Sequence, residues 1–423
     1  MAMSRNSCSQ TEVVGLLDIG SSKVCCMIVE RSFPAGFNAP PAMRILGVGH
    51  QRSRGVKAGM VVHLDQAEAV VRAAVGQAER VADVTLEDVI VSVSCGRQKS
   101  SHFAAHVDLA AGHVRMMDVS QLSKAAKEFA IRDERTLIHI NRVSYLIDGD
   151  TEVGNPLRLA GQRLSANWHA VTAASEPLRN LSALLDRAYL NVRQFVPSSM
   201  ANAFAATTNE ERQLGVTCVN IGAGVIDIAA FADGRFLYGD VIPVGGSHLT
   251  YEIARILTTP LAEAERIKTL YGTLVGARSD EHQLIQYALA GEKDGEAYET
   301  TRAELHRILY PAVERQLGLL QERLIRCDAA ALAGPNIVLT GGGSQLVGLV
   351  DMAVRQLERP VRIGTLPSVT GLPAGMDGPA FSTVLGMAYA PPVAAVQSCP
   401  ASSSRVSGGG YLNRMERWLR ESF

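Results

Sequence analysis

The sequence predicts an α/β protein built of two similar lobes, and three observations carry that reading. Short apolar runs read as strands and alternate with amphipathic helical stretches, the pattern of an α/β layer architecture. Leu17-Asp18-Ile19-Gly20-Ser21-Ser22 and Val219-Asn220-Ile221-Gly222-Ala223-Gly224 match in residue type at every position, and Asn220 stands 202 residues after Asp18 in a chain of 423. A repeat at close to half the chain means two lobes of like build, not a short-period array. Three glycine-rich turns, finally, each follow directly on an apolar strand, the last at Ile337-Val338-Leu339-Thr340-Gly341-Gly342-Gly343-Ser344.

Residues 1–11 form a polar N-terminal tail without the apolar stretch of a secretory signal. Val13-Val14-Gly15-Leu16-Leu17 then reads as a strand, Asp18-Ile19-Gly20-Ser21-Ser22-Lys23 as a turn, and residues 24–29 as the returning strand. Residues 65–81 have helical apolar spacing and residues 88–94 read as a further strand. The first part of the first lobe's core is therefore expected over 12–87. Between 100 and 162 the pattern loses regularity and fills with His, Arg and Asp, so 88–165 is expected to be an inserted subdomain. The second lobe is expected to open over 166–246, with strands at 216–219, 225–231 and 236–244 and a hairpin turn at Asp233-Gly234. Residues 247–332 read as a charged helical subdomain. Residues 333–390, with a helix at 347–357, are expected to complete the second core and return to the first. Residues 391–410 are rich in Pro, Ala, Ser and Gly, which cannot pack a core, and read as a flexible linker. Residues 411–423 regain helical periodicity.

Composition bounds the partners. The chain has 41 Lys+Arg against 42 Asp+Glu, a net charge of −1 and 5% aromatic residues. Neither a basic surface nor a stacking platform is indicated, so no nucleic-acid partner is expected. The seven cysteines are odd in number, form no Cys-x-x-Cys, and several sit in apolar runs, which suits small core residues in a reducing compartment. No apolar run reaches the roughly 18–20 residues that span a bilayer. The body is expected to be cytoplasmic.

Glycine or serine at a strand end lets backbone N–H groups converge on an anion with no side chain in the way. Two such turns can grip the phosphates of one nucleotide, and a third can approach a base or ribose closely. One glycine-rich turn is usually only a tight turn; three in this order, with the internal repeat, are far more specific.

Asp18-Ile19-Gly20-Ser21-Ser22-Lys23, Asn220-Ile221-Gly222-Ala223-Gly224-Val225-Ile226-Asp227 and Leu339-Thr340-Gly341-Gly342-Gly343 resemble the phosphate-1, phosphate-2 and adenosine motifs of the actin, Hsp70 and sugar-kinase superfamily. Phe381-Ser382-Thr383-Val384-Leu385-Gly386-Met387 is similar to its second connecting helix. Closer still is the resemblance to the FtsA family of bacterial cell division. It extends to Val48-Gly49 with Ser53-Arg54-Gly55-Val56, Arg132-Asp133-Glu134, Asn155-Pro156, Leu214-Gly215-Val216, Val361-Arg362-Ile363-Gly364 and Trp418-Leu419-Arg420-Glu421-Ser422-Phe423. It runs from about residue 12 to 389 and resumes at the last helix.

The resemblance implies an actin-like (ribonuclease H-like) two-lobed fold with inserted subdomains, and ATP with Mg²⁺ as ligands. Gly20, Ser21, Ser22 and Lys23 would sit at the β/γ-phosphates with Asp18 near the Mg²⁺, directly or through water. Asn220, Gly222, Ala223, Gly224 and Val225 would supply the opposing cradle. Gly341, Gly342, Gly343 and Ser344 would approach the adenosine, and Glu265 and Lys268 would contact ribose and adenine; spaced i, i+3, they share a helix face. Three departures matter. Asn220 replaces the usual Asp and has one neutral acceptor oxygen, which weakens metal support. Val225 replaces Thr and lacks its hydroxyl. Pro197-Ser198-Ser199-Met200-Ala201-Asn202 lacks the Glu or Gln that positions attacking water in relatives. ATP binding with slow or no turnover is expected, since positioning and charge carry phosphoryl transfer.

At about 100° per residue, Tyr411, Leu412, Met415, Trp418, Leu419 and Phe423 fall within an arc of roughly 140°, with Arg414, Arg417 and Arg420 opposite. That composition suits a helix lying in a membrane interface next to anionic lipids. The resemblance then implies a peripheral protein at the cytoplasmic face of the bacterial inner membrane, at the division septum. Such a protein tethers the tubulin-like FtsZ ring, self-associates into filaments and recruits later divisome membrane proteins. A sugar- or metabolite-kinase of the same superfamily is the alternative, but no cleft base is evident and a kinase has no use for the tail. No β-rich substrate domain follows, as an Hsp70-like chaperone would need. His102, His106 and His113 lack a matching Cys or carboxylate pattern, so no metal site is expected there.

Overall fold

A computed structural model describes residues 10–33, 42–131, 134–291 and 297–390. Residues 391–410 and 411–423, expected as a linker and an amphipathic helix, most of the N-terminal tail, and Arg132-Asp133 lie outside the described residues. The chain divides into two compact units. The first takes Met1–Ala201, Ser368–Gly375 and Val384–Phe423 as far as these are described; the second takes Asn202–Pro367 and Met376–Thr383.

In the first unit, β1 (Gln10–Ile19), β2 (Lys23–Phe33) and β3 (Ala42–Arg52) form an antiparallel meander. A short ribbon, β4 (Val56–Lys57) and β5 (Met60–Val61), leads into helix α1 (Leu64–Ala82), and β6 (Asp88–Val93) then pairs parallel to β1. Leu16, Leu17, Val24, Cys25, Cys26, Met27 and Ile28 are fully buried, as expected of strands covered on both faces. Helix α1 packs through Val71, Ala74, Val75 and Ala78, the periodic stripe of the sequence.

A four-stranded antiparallel sheet, order β7-β10-β8-β9, follows: β7 (Lys99–Asp108), β8 (Arg135–Ile147), β9 (Thr151–Val153) and β10 (Arg163–Ala174). Helix α2 (Met116–Ala130) covers one face, with Leu122 and Ala126 packed in one cluster with Leu164, Ala166, Trp168 and Ala170. The chain re-enters the main sheet through α3 (Ser175–Arg187) and β11 (Asn191–Pro197), giving the order β11-β6-β1-β2-β3. Both expected boundaries shift. Residues 88–93 belong to the core sheet, not the insert, because Val89, Ile90 and Val91 pair with β1. Residue 166 does not open the second lobe: β10 pairs from Arg163 to Thr172 with β7 and also with β8. The second unit begins within α4 (Ser198–Ala206), at Asn202.

The second unit repeats the plan. After α5 (Asn209–Leu214), β12 (Val216–Ile221), β13 (Ile226–Ala232) and β14 (Arg235–Ile242) form an antiparallel meander. Asp233 and Gly234 both take positive φ in the hairpin between β13 and β14. Helices α6 (Gly246–Leu257) and α7 (Leu261–Tyr271), the ribbon β15 (Leu284–Tyr287) and β16 (Tyr298–Thr301), α8 (Arg302–Arg326) and α9 (Ala329–Ala333) come next. β17 (Ile337–Thr340) then pairs parallel to β12, and after α10 (Leu349–Leu357), β18 (Val361–Ile363) pairs parallel to β17. Helix α11 (Ser382–Tyr389) ends the described chain. One apolar cluster joins the sheet to α6, α7, α8 and α10 through Val219, Ile228, Ile253, Ile267, Leu309 and Met352. The order β14-β13-β12-β17-β18 reproduces β3-β2-β1-β6-β11 strand for strand and sense for sense. This is the duplicated sheet of the actin-like fold.

Candidate functional site

In each unit the repeated motif is the turn joining the first two strands. In the first, the Gly20 N–H donates to the Lys23 carbonyl at 3.0 Å. The N–H groups of Ser21 and Ser22 have no partner among the described residues. Two ties fix this turn: Gly59 N–H donates to Ser21 Oγ at 3.1 Å, and Ser53 N–H to the Ser22 carbonyl at 2.9 Å. The early loop singled out in the sequence thus supplies one of the two ties on the phosphate-1 turn, through Ser53. Asp18, one residue before the strand end, accepts from Ser92 Oγ on β6 at 2.6 Å. Burial pushes its carboxyl up, against the Ser92 hydrogen bond and the charge of Lys23. Burial lowers Lys23 in turn, with Asp18 opposing.

The second turn has the same closure: Gly222 N–H donates to the Val225 carbonyl at 2.9 Å, and the N–H groups of Ala223 and Gly224 have no partner among the described residues. Here the ties are to α6. The N–H groups of Gly246 and Ser247 donate to the Gly222 and Ala223 carbonyls at 2.9 and 2.8 Å. A Cβ on Gly245 would lie 2.4 Å from the Gly222 oxygen, so only glycine lets the helix start this close. Gln316 on α8 donates to the Gly245 carbonyl at 3.1 Å.

Asn220 occupies the position of Asp18, and its environment differs. Its Nδ2 donates to Asp227 Oδ2 at 2.6 Å, directly across the strand pair. Asn202 Nδ2 lies 3.5 Å from the same oxygen, while Ser382 Oγ and Thr383 Oγ1 donate to Asn202 Oδ1 at 2.6 and 3.0 Å. Asn220, Asp227, Asn202 and Ser382 are all buried, so this is a desolvated chain around one carboxylate. A second carboxylate at 220 would face the first at hydrogen-bond distance, which like charges resist. With asparagine at 220 the cluster holds one carboxylate, and the amide donates to it.

The third turn packs on the second. Gly341 takes φ +88, and a Cβ there would lie 2.3 Å from Asn220 Oδ1 and 2.6 Å from the Ile221 oxygen. Ser344 Oγ caps the Gly341 carbonyl at 2.7 Å, and Gly342 and Gly343 keep N–H groups without a partner among the described residues. On α7, Lys268 Nζ donates to Glu265 Oε2 at 2.7 Å and to the Gly246 carbonyl at 3.1 Å. The second unit therefore brings together the phosphate-2 turn, the adenosine loop, Glu265 and Lys268; the first unit carries Asp18, Gly20, Ser21, Ser22 and Lys23.

Sequence reasoning missed Ser92, Gly59, the pairing of Asp227, the bonds of Asn202, Gln316, and Thr250, whose Oγ1 accepts from Lys268 Nζ at 2.8 Å. The double glycine Gly245-Gly246 before a helix was the one available signal. Elsewhere, the His102 ring lies 5.0 Å from that of His169, and His113 Nδ1 bonds the Ala111 carbonyl at 2.9 Å. Among the described residues no group of three or more His, Cys, Asp or Glu is arranged to hold a metal, and no helix is long and apolar enough to cross a membrane.

Known proteins place this geometry. A family model described as "Cell division protein FtsA" matches residues 217–386, and one described as "SHS2 domain inserted in FTSA" matches 96–172, the four-stranded insert. Cell division protein FtsA of Rhizobium meliloti is 37% identical over 422 residues, covering 98% of this chain and 96% of its own. That of Escherichia coli K12 is 30% identical over 420 residues, covering 97% and 98%. Among solved structures, the PilM-PilN type IV pilus biogenesis complex matches with a TM-score of 0.61 at 17% identity, over 89% of this chain and 97% of that one. That likeness is one of fold. The chain belongs to the FtsA family of cell division proteins.

Proposed function

We propose that this chain is an ATP-binding, actin-like tether that links FtsZ to the cytoplasmic face of the bacterial inner membrane at the division septum. It assembles with itself into filaments, recruits later divisome membrane proteins, and is held to anionic lipids by residues 411–423. The observation that carries the nucleotide part is the pair of equivalent turns with unclaimed N–H groups at Ser21-Ser22 and Ala223-Gly224. Such groups suit phosphate oxygens. Gly342 and Gly343 offer the same on the adenosine loop. Among the described residues nothing favours the kinase alternative.

The residues fit the ligand. Ser21, Ser22 and Lys23 would bind the β/γ-phosphates, Gly222, Ala223 and Gly224 the phosphates through their backbone, and Gly341, Gly342, Gly343 and Ser344 the adenosine. Mg²⁺ fits a site with one carboxylate, since it keeps most of its waters and phosphate ligands; bound, it neutralises phosphate charge. Asp18 would hold it, because Ser92 occupies Oδ1 and leaves Oδ2 without a protein partner among the described residues. Asn220 would be the weaker ligand: its Nδ2 is bonded to Asp227 and its one neutral oxygen packs against Gly341. Val225 lacks a hydroxyl and 197–202 holds no Glu or Gln, so the positions that orient an attacking water in relatives are not equipped for it here, and turnover is expected to be slow or absent.

Co-sedimentation of the full chain with vesicles of anionic lipid tests the tether. Pelleting is expected, and is expected to vanish in a chain ending at residue 410; equal pelleting of the two would contradict it. Filaments on a lipid monolayer in the presence of ATP test assembly in the same sample.

A further inference from the structure

We propose that Thr250 and Lys268 are positioning residues that present Glu265 to the ribose of the bound nucleotide, and so set a preference for ribonucleotides over deoxyribonucleotides. This rests on the nucleotide reading above. It departs from the role the family resemblance gives Lys268, that of a direct contact.

An ammonium has three N–H donors. Those of Lys268 go to Glu265 Oε2 at 2.7 Å, Thr250 Oγ1 at 2.8 Å and the Gly246 carbonyl at 3.1 Å, which leaves none for a ligand. The Thr250 hydroxyl is buried and has one proton. It lies 2.5 Å from Glu265 Oε2 and 3.2 Å from the Gly246 carbonyl. The shorter bond to the charged acceptor takes the proton. Oε2 of Glu265 thus receives two donors and is fixed. Oε1 has no partner among the described residues, and the side chain is 49% exposed against 15% for Lys268. A carboxylate oxygen held this way is an acceptor of defined position, suited to a hydroxyl of a vicinal diol. Because Gly246 also donates to the Gly222 carbonyl at 2.9 Å, the same lysine ties this acceptor to the phosphate-2 turn. A site built to bond a hydroxyl rejects the analogue that lacks it, since the acceptor is then left unpaired.

The test is the affinity of the full chain for ATP, 2′-deoxy-ATP and 3′-deoxy-ATP, with Thr250→Val, Thr250→Ser and Lys268→Met alongside. The wild type should bind ATP about tenfold or more tightly than at least one deoxy analogue. Thr250→Val, an isosteric change, should bring the two within about threefold, and Thr250→Ser should restore the difference. Lys268→Met gives the same readout if Thr250→Val fails to fold. A wild type indifferent to both hydroxyls, or a Thr250→Val chain with undiminished discrimination, would overturn the proposal. Failure of the wild type to bind any of the three would instead overturn the nucleotide reading on which it stands.

Discussion

The two phosphate-type turns share a closure and a sheet order, yet they place their one acid on opposite strands. In the first, the acid is Asp18 on β1, and its cross-strand neighbour is Cys25, whose buried thiol is pushed up to about 12 by burial. In the second, β12 carries the neutral Asn220 and the acid is Asp227 across the pair. Each copy thus buries a single carboxylate. Duplication kept the backbone and let the side-chain chemistry diverge. The ties diverge as well: the Ser21 hydroxyl bonded to Gly59 and the Ser53 N–H just past β3 hold the first turn, while two N–H groups of α6 hold the second, with the adenosine loop packed on the strand end before it.

The largest effect expected from this contrast concerns the glycines. Gly341→Ala forces a Cβ onto Asn220 and Ile221 at a positive φ, and should cost about 3 kcal/mol or more. At Gly20 a Cβ would meet only the Lys23 oxygen, at 3.0 Å. Gly20→Ala should cost about 1 kcal/mol. Denaturant unfolding of the two variants compares them, and equal losses would break the contrast.

Next is the buried acid. Asn220→Asp sets two carboxylates at the 2.6 Å spacing of the present hydrogen bond, so the pair retains a proton in the folded state that the unfolded chain releases. A folded-state carboxyl pKa above the unfolded value means stability is lost as pH rises. The variant should be about 2–4 kcal/mol less stable than wild type at pH 8 and recover towards pH 5. Adding Asp227→Asn should remove the pH dependence. Thermal unfolding across that range reads it, and a pH-independent penalty would exclude carboxylate repulsion as the cause.

How far this was legible in the sequence follows the same division. The turns, the strands that flank them and their repetition were readable, because Gly20 and Gly222 mark strand ends locally and apolar runs flank both. The edges of the insert were not. β6 and β10 look alike as apolar segments, and only pairing with β1 in one case and with β7 and β8 in the other assigns them. Local pattern does not encode which distant strand is the partner. The polar chain was hidden for a related reason: Asn202 meets Ser382 across 180 residues of sequence, and Ser92 meets Asp18 across 74. The substitution at Asn220 was visible, but its meaning depended on the carboxylate opposite.

Two smaller effects sharpen the first turn. Ser92→Ala removes the hydrogen bond that holds the Asp18 carboxyl down against burial. Its folded-state pKa should rise further, and about 1–2 kcal/mol of stability should be lost, increasingly as pH climbs above the ordinary 3.8 of Asp. Ser21→Ala removes the acceptor of the Gly59 N–H, costing about 0.5–1.5 kcal/mol. The position equivalent to Ser21 is already Ala223, so the second turn has no matching sensitivity. Urea titrations of both variants at pH 5 and pH 8 distinguish a titrating group from a lost tie, since only Ser92→Ala should depend on pH.

The central claim is a nucleotide site kept without its hydrolytic apparatus. Equilibrium ATP binding and phosphate release, measured together on the full chain with Mg²⁺, test it most directly. Saturable ATP binding with phosphate release close to background is the predicted result. Robust Mg²⁺-dependent hydrolysis, or no binding at all, would contradict it.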